Sequence, residues 1–211
     1  MLSAAPAVKV CGICRVDDAA LAVALGASAI GFVFWPGSPR YVEPGQARDI
    51  AATLPDGVVA VGVFVDQTAS EVAEIARIVG LDAIQLHGNE SPADFEGMQQ
   101  RVIKAIAVGE SFDASVLDAV PASVTVLLDA HDPIRRGGTG RTIDWTVAAA
   151  IAARRDTILS GGLNAVNVVE AVARVRPRMV DVSSGVEASP GHKDPAKLRD
   201  FFAAIHSVTA Q

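Results

Sequence analysis

Eight short runs rich in Val, Ile and Leu begin near residues 8, 29, 58, 83, 102, 124, 157 and 179, and their regular recurrence limits the possible folds more than any other feature. Each is shorter than an ordinary helix and reads as a buried strand. Between them, segments such as 17–25, 46–54, 70–79, 145–154 and 165–175 set apolar residues three and four apart among Ala, Glu and Arg, the pattern of amphipathic helices. This alternation favours parallel strands joined by crossovers, with helices covering the sheet. Eight strand–helix units in 211 residues average about 26 residues each, near the lower limit for a closed eightfold barrel. The expected fold is therefore α/β, a (β/α)8 TIM barrel forming a single compact domain over residues 1–211. An open dinucleotide-binding sheet would carry Gly-x-Gly-x-x-Gly after its first strand, whereas segment 8–15 has only Gly12.

A chain of this length can bury roughly 70% of its unfolded surface, so its core needs no disulfide or metal staple. Cys11 and Cys14 then require another explanation. With 18 Lys and Arg against 24 Asp and Glu, the formal charge is −6, and no basic cluster exceeds the pair Arg135 and Arg136. Nucleic acid is not an expected partner. Met1 to Ala7 lacks the charged and apolar regions of a leader, and no apolar run reaches the roughly 18 residues of a membrane helix. No membrane partner is expected, and the location is read as cytoplasmic, where thiols stay reduced.

Side chains two apart on a strand share a face, so polar residues inside apolar strands mark what turns toward the barrel axis. Lys9 and Cys11 share one face of the first strand, Gln85 and His87 one face of the fourth. Asp129 ends the sixth strand, and Asp181 and Ser183 lie on the eighth. Barrel active sites form at the strand C-termini. Cys11, His87, Asp129 and Ser183 are therefore expected at the mouth, with Lys9 and Asp181 one layer deeper. The first and eighth strands are neighbours in a closed barrel, and either charge is costly to bury alone, so Lys9 and Asp181 are expected to pair.

Glycines close the last two strands, as Ser160-Gly161-Gly162 and Ser183-Ser184-Gly185. TIM barrels commonly bind phosphate at these two loops through backbone N–H groups and a short helix N-terminus. Turn glycines needed only for their backbone angles are the alternative. Cys11-Gly12-Ile13-Cys14 has C-x-x-C spacing, but redox and zinc readings lack the helix start or further ligands they require. Cys11 is either a buried small hydrophobe or, at the mouth, a general base if its pKa falls below the ordinary value of about 8.5. Asp129 on the opposite wall is either a loop-bonding carboxylate or a general acid. An acid and a base facing each other suit a proton-transfer isomerisation. The longest gap, 33 residues between the sixth and seventh strand starts, holds segment 131–142 with Gly137, Gly138 and Gly140, either a lid or a solvated loop.

Several segments resemble one family. They are Val8-Lys9-Val10-Cys11-Gly12-Ile13, Gly31-Phe32-Val33-Phe34 with Ser38-Pro39-Arg40-Tyr41-Val42, and Gln85-Leu86-His87-Gly88. Leu127-Leu128-Asp129, Gly138-Thr139-Gly140 with Asp144-Trp145, Ser160-Gly161-Gly162-Leu163-Asn164 and Asp181-Val182-Ser183-Ser184-Gly185-Val186-Glu187 complete the set. In order over nearly the whole chain, they are similar to the phosphoribosylanthranilate isomerases. The resemblance implies a TIM barrel of tryptophan biosynthesis. Its reaction would be an Amadori rearrangement of N-(5-phosphoribosyl)anthranilate to 1-(2-carboxyphenylamino)-1-deoxyribulose 5-phosphate, a small-molecule substrate handled without cofactor or metal.

It further implies that Cys11 is the base and Asp129 the acid, and that Arg40 pairs with the substrate carboxylate. His87 would line the sugar or tune a neighbour, and Asp181 is counted with Arg40 and His87 in the substrate-binding set. Gly161, Gly162, Ser183, Ser184 and Gly185 would hold the phosphate. Cys14 departs from the family's small polar residue; the change is either neutral or permits a disulfide to Cys11 that silences the base. The histidine-pathway isomerase resembles a barrel with Asp where Cys11 stands, a metal-dependent epimerase would need clustered ligands, and a non-catalytic phosphosugar-binding barrel would need no acid–base pair. A monomer is expected, with a dimer left open; Phe34 and Trp35 fit core, loop packing or a dimer contact.

Overall fold

The computed structural model describes residues 5–109, 112–130 and 142–208. Eight parallel strands close a barrel in sequence order: β1 (Ala7–Cys11), β2 (Ala29–Val33), β3 (Val59–Phe64), β4 (Ala83–Leu86), β5 (Arg101–Val108), β6 (Thr125–Ala130), β7 (Thr157–Leu159) and β8 (Met179–Val182). β8 returns to β1 in parallel, with Lys9 opposite Asp181, and that pairing removes the sheet's free edges. The strands start within one residue of the positions expected from the apolar runs. Parallel strands buried on both faces read as nearly unbroken apolar runs, which is why these starts are sharp.

One set of alternate side chains fills the barrel, including Ala29, Val61, Ala83, Ile103, Leu127 and Ile158. The other set, including Val10, Phe32, Phe64, Leu128 and Val180, packs outward against the helices. Among the described residues six α-helices provide that cover: α1 (Val16–Ala24), α2 (Pro44–Ala51), α3 (Ala69–Val79), α4 (Trp145–Ala152), α5 (Val168–Val175) and α6 (Pro195–Ser207). In α6, which the sequence reading did not single out, Leu198, Phe201, Phe202 and Ile205 are buried at helical spacing, and the Asp194 side chain caps the first turn by accepting from the N–H groups of Ala196 and Lys197.

Among the described residues, eight full strand–helix units are not present. The connections after β4 and β5 carry 3-10 turns, Pro92–Phe95 and Ala114–Ala119, where helices would complete the eightfold pattern. Gly97, in the left-handed region at φ 88°, ends the first, and Pro121 turns the chain away from helix at Val120 in the second. The carbonyls of Leu117, Val120, Pro121 and Val124 accept instead from the Arg155 guanidinium, at 2.7 to 3.1 Å. A second departure follows β8: a 3-10 turn at Ser184–Val186 leads into a small antiparallel hairpin, β9 (Glu187–Ser189) and β10 (His192–Lys193). Segment 131–141, most of the candidate lid, lies outside the described residues. No helix among the described residues is long and apolar enough to cross a membrane.

Candidate active site

The expected seam pair is present. Lys9 Nζ lies 2.9 Å from Asp181 Oδ1, with the lysine fully buried and the aspartate 5% exposed. Ser160 Oγ reaches Asp181 Oδ2 at 3.4 Å. The Asp181 carboxylate is thus engaged from β1 and from the end of β7. Burial alone would lower the Lys9 ammonium, but Asp181 and Cys11 outweigh it and hold it above its ordinary value.

Cys11 follows on the same face, buried beside Val33, Val63 and Trp35. A Cβ on Gly31 would meet its Sγ at 2.9 Å and Lys9 Cε at 3.2 Å, so a bare glycine on β2 makes the space that thiol and ammonium share. Desolvation pushes the Cys11 thiol up from its ordinary value, with Lys9 and Lys193 acting against it. The lowered value that a resting thiolate needs is therefore not met in this surrounding, because a thiol packed among Val and Trp gains no water to stabilise its charge. Cys14 lies outside the strand, its Sγ 3.4 Å from the Arg40 carbonyl, and both cysteines are free. Phe34 is core, stacked on Phe64 at 5.4 Å, and Trp35 is half-buried over the Cys11 cluster.

Across the mouth, Asp129 is held by both oxygens. Its Oδ1 accepts the Ala130 N–H at 2.8 Å, and its Oδ2 lies 3.2 Å from His87 Nε2. His87 reaches it from β4 over β5, which presents only Ala105 and Ala107 on that face at the mouth. Gln85 Nε2 donates to His87 Nδ1 at 2.9 Å, which leaves the ring proton on Nε2, facing Asp129. Gln85 Oε1, buried, has no hydrogen-bond partner among the described residues.

β7 and β8 lie between β6 and β1 in the barrel, so the two glycine loops occupy the rim between Asp129 and Cys11. Gly161 and Gly162 both take positive φ, 86° and 64°. A Cβ on Gly161 would stand 2.8 Å from Ala130 N and 3.2 Å from Asp129 Oδ1, so this glycine also makes room for the Asp129 carboxylate. Gly185 packs against the Leu163 carbonyl with no space for a side chain, which brings the two loops into backbone contact. Ser184 opens the short 3-10 turn, and Ser183 is turned toward Gly12. The Gly162 carbonyl accepts from Asn164 Nδ2 and Asn167 Nδ2 at 3.3 and 3.0 Å, leaving loop N–H groups rather than this carbonyl to meet an anion.

Arg40 is not free in the mouth. Glu187 binds it through two hydrogen bonds, and the buried Lys193 binds Glu187 in turn. Neither Glu187 nor Lys193 was among the site residues inferred from sequence, although Glu187 lies in a motif that carried the family resemblance. Among the described residues no group of three or more His, Cys, Asp or Glu side chains could hold a metal ion.

Fold and mouth together define the class as a TIM-barrel enzyme. Residues 8–204 match the family model described as N-(5'phosphoribosyl)anthranilate (PRA) isomerase. The N-(5'-phosphoribosyl)anthranilate isomerase of Pelobacter propionicus is 46% identical over 194 residues, covering 92% of each chain. The crystal structure of phosphoribosyl anthranilate isomerase from Thermotoga maritima superposes with a TM-score of 0.88 at 40% identity, over 96% of this chain and 99% of that one. Another such isomerase, solved in complex with reduced 1-(o-carboxyphenylamino)-1-deoxyribulose 5-phosphate, gives 0.85 at 39% identity, over 96% of this chain and 99% of that one. The chain belongs to the phosphoribosylanthranilate isomerase family and is an enzyme, an isomerase.

Proposed function

We propose that the protein catalyses the Amadori rearrangement of N-(5-phosphoribosyl)anthranilate to 1-(2-carboxyphenylamino)-1-deoxyribulose 5-phosphate in tryptophan biosynthesis, with Asp129 as general acid and Cys11 as general base. The observation that carries this reading is the rim order. Acid on β6, glycine loops after β7 and β8, and thiol on β1 succeed one another around one mouth. A phosphosugar anchored at the loops would lie between donor and acceptor.

Asp129 gives its proton to the ribose ring oxygen as the bond to C1 breaks, and the nitrogen lone pair forms an iminium ion. The Cys11 thiolate then removes the C2 proton, and the electron pair moves to neutralise the iminium as an enolamine, which tautomerises to the ketone. Burial opposes the thiolate; the Lys9 ammonium and the iminium charge both favour it. His87, donating to Asp129 through Nε2, orients the acid. Arg40 meets the anthranilate carboxylate, and Gly161, Gly162, Ser183, Ser184 and Gly185 hold the phosphate through backbone and hydroxyl donors. Asp181 serves this set indirectly, by fixing Lys9 beneath the thiol.

The two unpaired thiols suit a cytoplasmic location. Decay of phosphoribosylanthranilate fluorescence on addition of purified protein is the direct test. Absence of turnover, with phosphate-ester ligands still bound, would leave a non-catalytic phosphosugar-binding barrel.

A further inference from the structure

Arg40 is fastened along one edge of its guanidinium. Nε donates to Glu187 Oε1 at 2.8 Å and Nη2 to Oε2 at 2.7 Å, a bidentate pair. Five N–H groups arranged in a plane leave a second edge, made by Nη1 and the remaining hydrogen of Nη2. Glu187 is itself held: its Oε1 also accepts from Lys193 Nζ at 2.9 Å and from the Gly191 N–H at 3.3 Å. Lys193, fully buried along its side chain, donates further to the carbonyls of Cys11 at 2.7 Å and Ser183 at 3.2 Å. One carboxylate at the root of the β9–β10 hairpin is thereby tied to the ends of β1 and β8. The arginine stem is confined as well, because a Cβ on Gly12 would meet Arg40 Cδ at 2.6 Å and Cγ at 3.3 Å. The guanidinium is thus aimed from two sides, beside the residue that follows Cys11.

We propose that Glu187 is a positioning residue for substrate specificity: it keeps the Nε–Nη2 edge of Arg40 throughout binding, so that the Nη1–Nη2 edge meets the aromatic carboxylate of the substrate already aligned. This rests on Arg40 being the carboxylate-binding side chain. Arginine has much rotamer freedom to lose, and a fork fixed before binding loses none of it when the ligand arrives. Lys193 and the Gly191 N–H act through Glu187. The opposite arrangement has the substrate carboxylate displace Glu187 from Arg40, with Glu187 as a counter-ion that leaves.

The test compares phosphoribosylanthranilate with phosphoribosylaniline, which lacks the carboxylate. Glu187→Gln is expected to raise KM for the carboxylated substrate about tenfold, to change kcat less than about threefold, and to lower the preference over the aniline analogue by the same factor as kcat/KM. Arg40→Met should remove the preference, and the double variant should be no worse than Arg40→Met alone. A Glu187→Gln protein that keeps the preference, or effects that add fully in the double variant, overturns the proposal. If Arg40→Met keeps the preference, the carboxylate reading of Arg40 is the part that fails, and the proposal falls with it. A measurement on the unaltered protein covers the case of a variant that does not fold. The Arg40 Nε–H resonance should exchange slowly with water and stay slow when reduced 1-(o-carboxyphenylamino)-1-deoxyribulose 5-phosphate saturates the site. Faster exchange on binding means that Glu187 has let go, and overturns the proposal.

Discussion

Lys9 and Asp181, 172 positions apart in the chain, form a buried ion pair of 2.9 Å across the seam where β8 meets β1. Replacing Lys9 by Met leaves the Asp181 carboxylate without its cation in the barrel interior, at a cost of about 3–5 kcal/mol. Replacing both, as Lys9→Met with Asp181→Leu, should recover most of that loss, since an apolar pair of similar volume asks for no desolvation of charge. Denaturant unfolding of the three proteins measures it. The raised Lys9 value fixes the pH signature. The pair's stabilisation is fully present below the unfolded lysine value, about 10.4, and is lost as pH rises through the higher folded one. An alkaline unfolding limb that persists unchanged in Lys9→Met would contradict the assignment.

Cys11→Ser and Asp129→Asn should each lower kcat at least about 10²-fold with the far-ultraviolet circular dichroism spectrum unchanged, the usual scale for loss of a general acid or base. Because burial holds the Cys11 thiol above its ordinary value, the thiolate fraction grows with pH through the alkaline range. In the free enzyme kcat/KM should therefore still be rising where an ordinary thiol would already have levelled off. Lys9 opposes the effect of burial, so Lys9→Met, if it folds, moves this limb higher still. A profile flat from neutral pH upward would remove Cys11 as the titrating base.

The barrel was legible because its two cores impose two periods on one sequence. Alternation within a strand put Lys9 and Cys11 on one face, and adjacency of the first and last strands then put Lys9 against Asp181. What escaped depends on contacts that no local pattern encodes. Glu187 meets Arg40 from 147 positions away, and Lys193 meets the Cys11 carbonyl from 182 away. Their segment, Glu187 to Lys193, reads as a polar Pro-Gly turn and gives no periodic signal. The direction of the Cys11 shift was equally hidden, since it is set by Val33, Val63 and Trp35 closing over the sulfur. The expectation of eight strand–helix units fails at two connections among the described residues for local reasons: Gly97 ends the short turn after β4, and Pro121 ends the one after β5, whose Leu117, Val120, Pro121 and Val124 carbonyls accept from Arg155.

Glu187 supplies an acid-range signature. Burial would raise its carboxyl, but the Arg40 hydrogen bonds and the Lys193 charge outweigh that and hold it below its ordinary value. Its stabilisation is thus present above the unfolded glutamate value, about 4.3, and is lost as pH falls through the lower folded value. Between about pH 6 and about pH 3 the native protein should lose more unfolding free energy than Glu187→Gln does. Equal losses would show that the carboxylate does not titrate with folding.

The two glycine loops make different predictions although both are assigned to phosphate. At Gly185 an added methyl would run into the Leu163 carbonyl, so Gly185→Ala has to part the loop after β8 from the loop after β7. Backbone N–H groups aimed at one anion lose their convergence when their loops separate, so KM should rise at least about tenfold while kcat at saturation falls less. At Gly161 the same methyl meets Ala130 N and Asp129 Oδ1, in a backbone held at φ 86°. Gly161→Ala therefore disturbs the acid as well as the anion site, and kcat should fall together with kcat/KM. Inorganic phosphate as a competitive inhibitor separates the two effects: its affinity should fall clearly in Gly185→Ala, whereas the kcat loss in Gly161→Ala should exceed any change in phosphate affinity. Equal kinetic signatures from both variants would mean that Gly161 has no separate tie to Asp129.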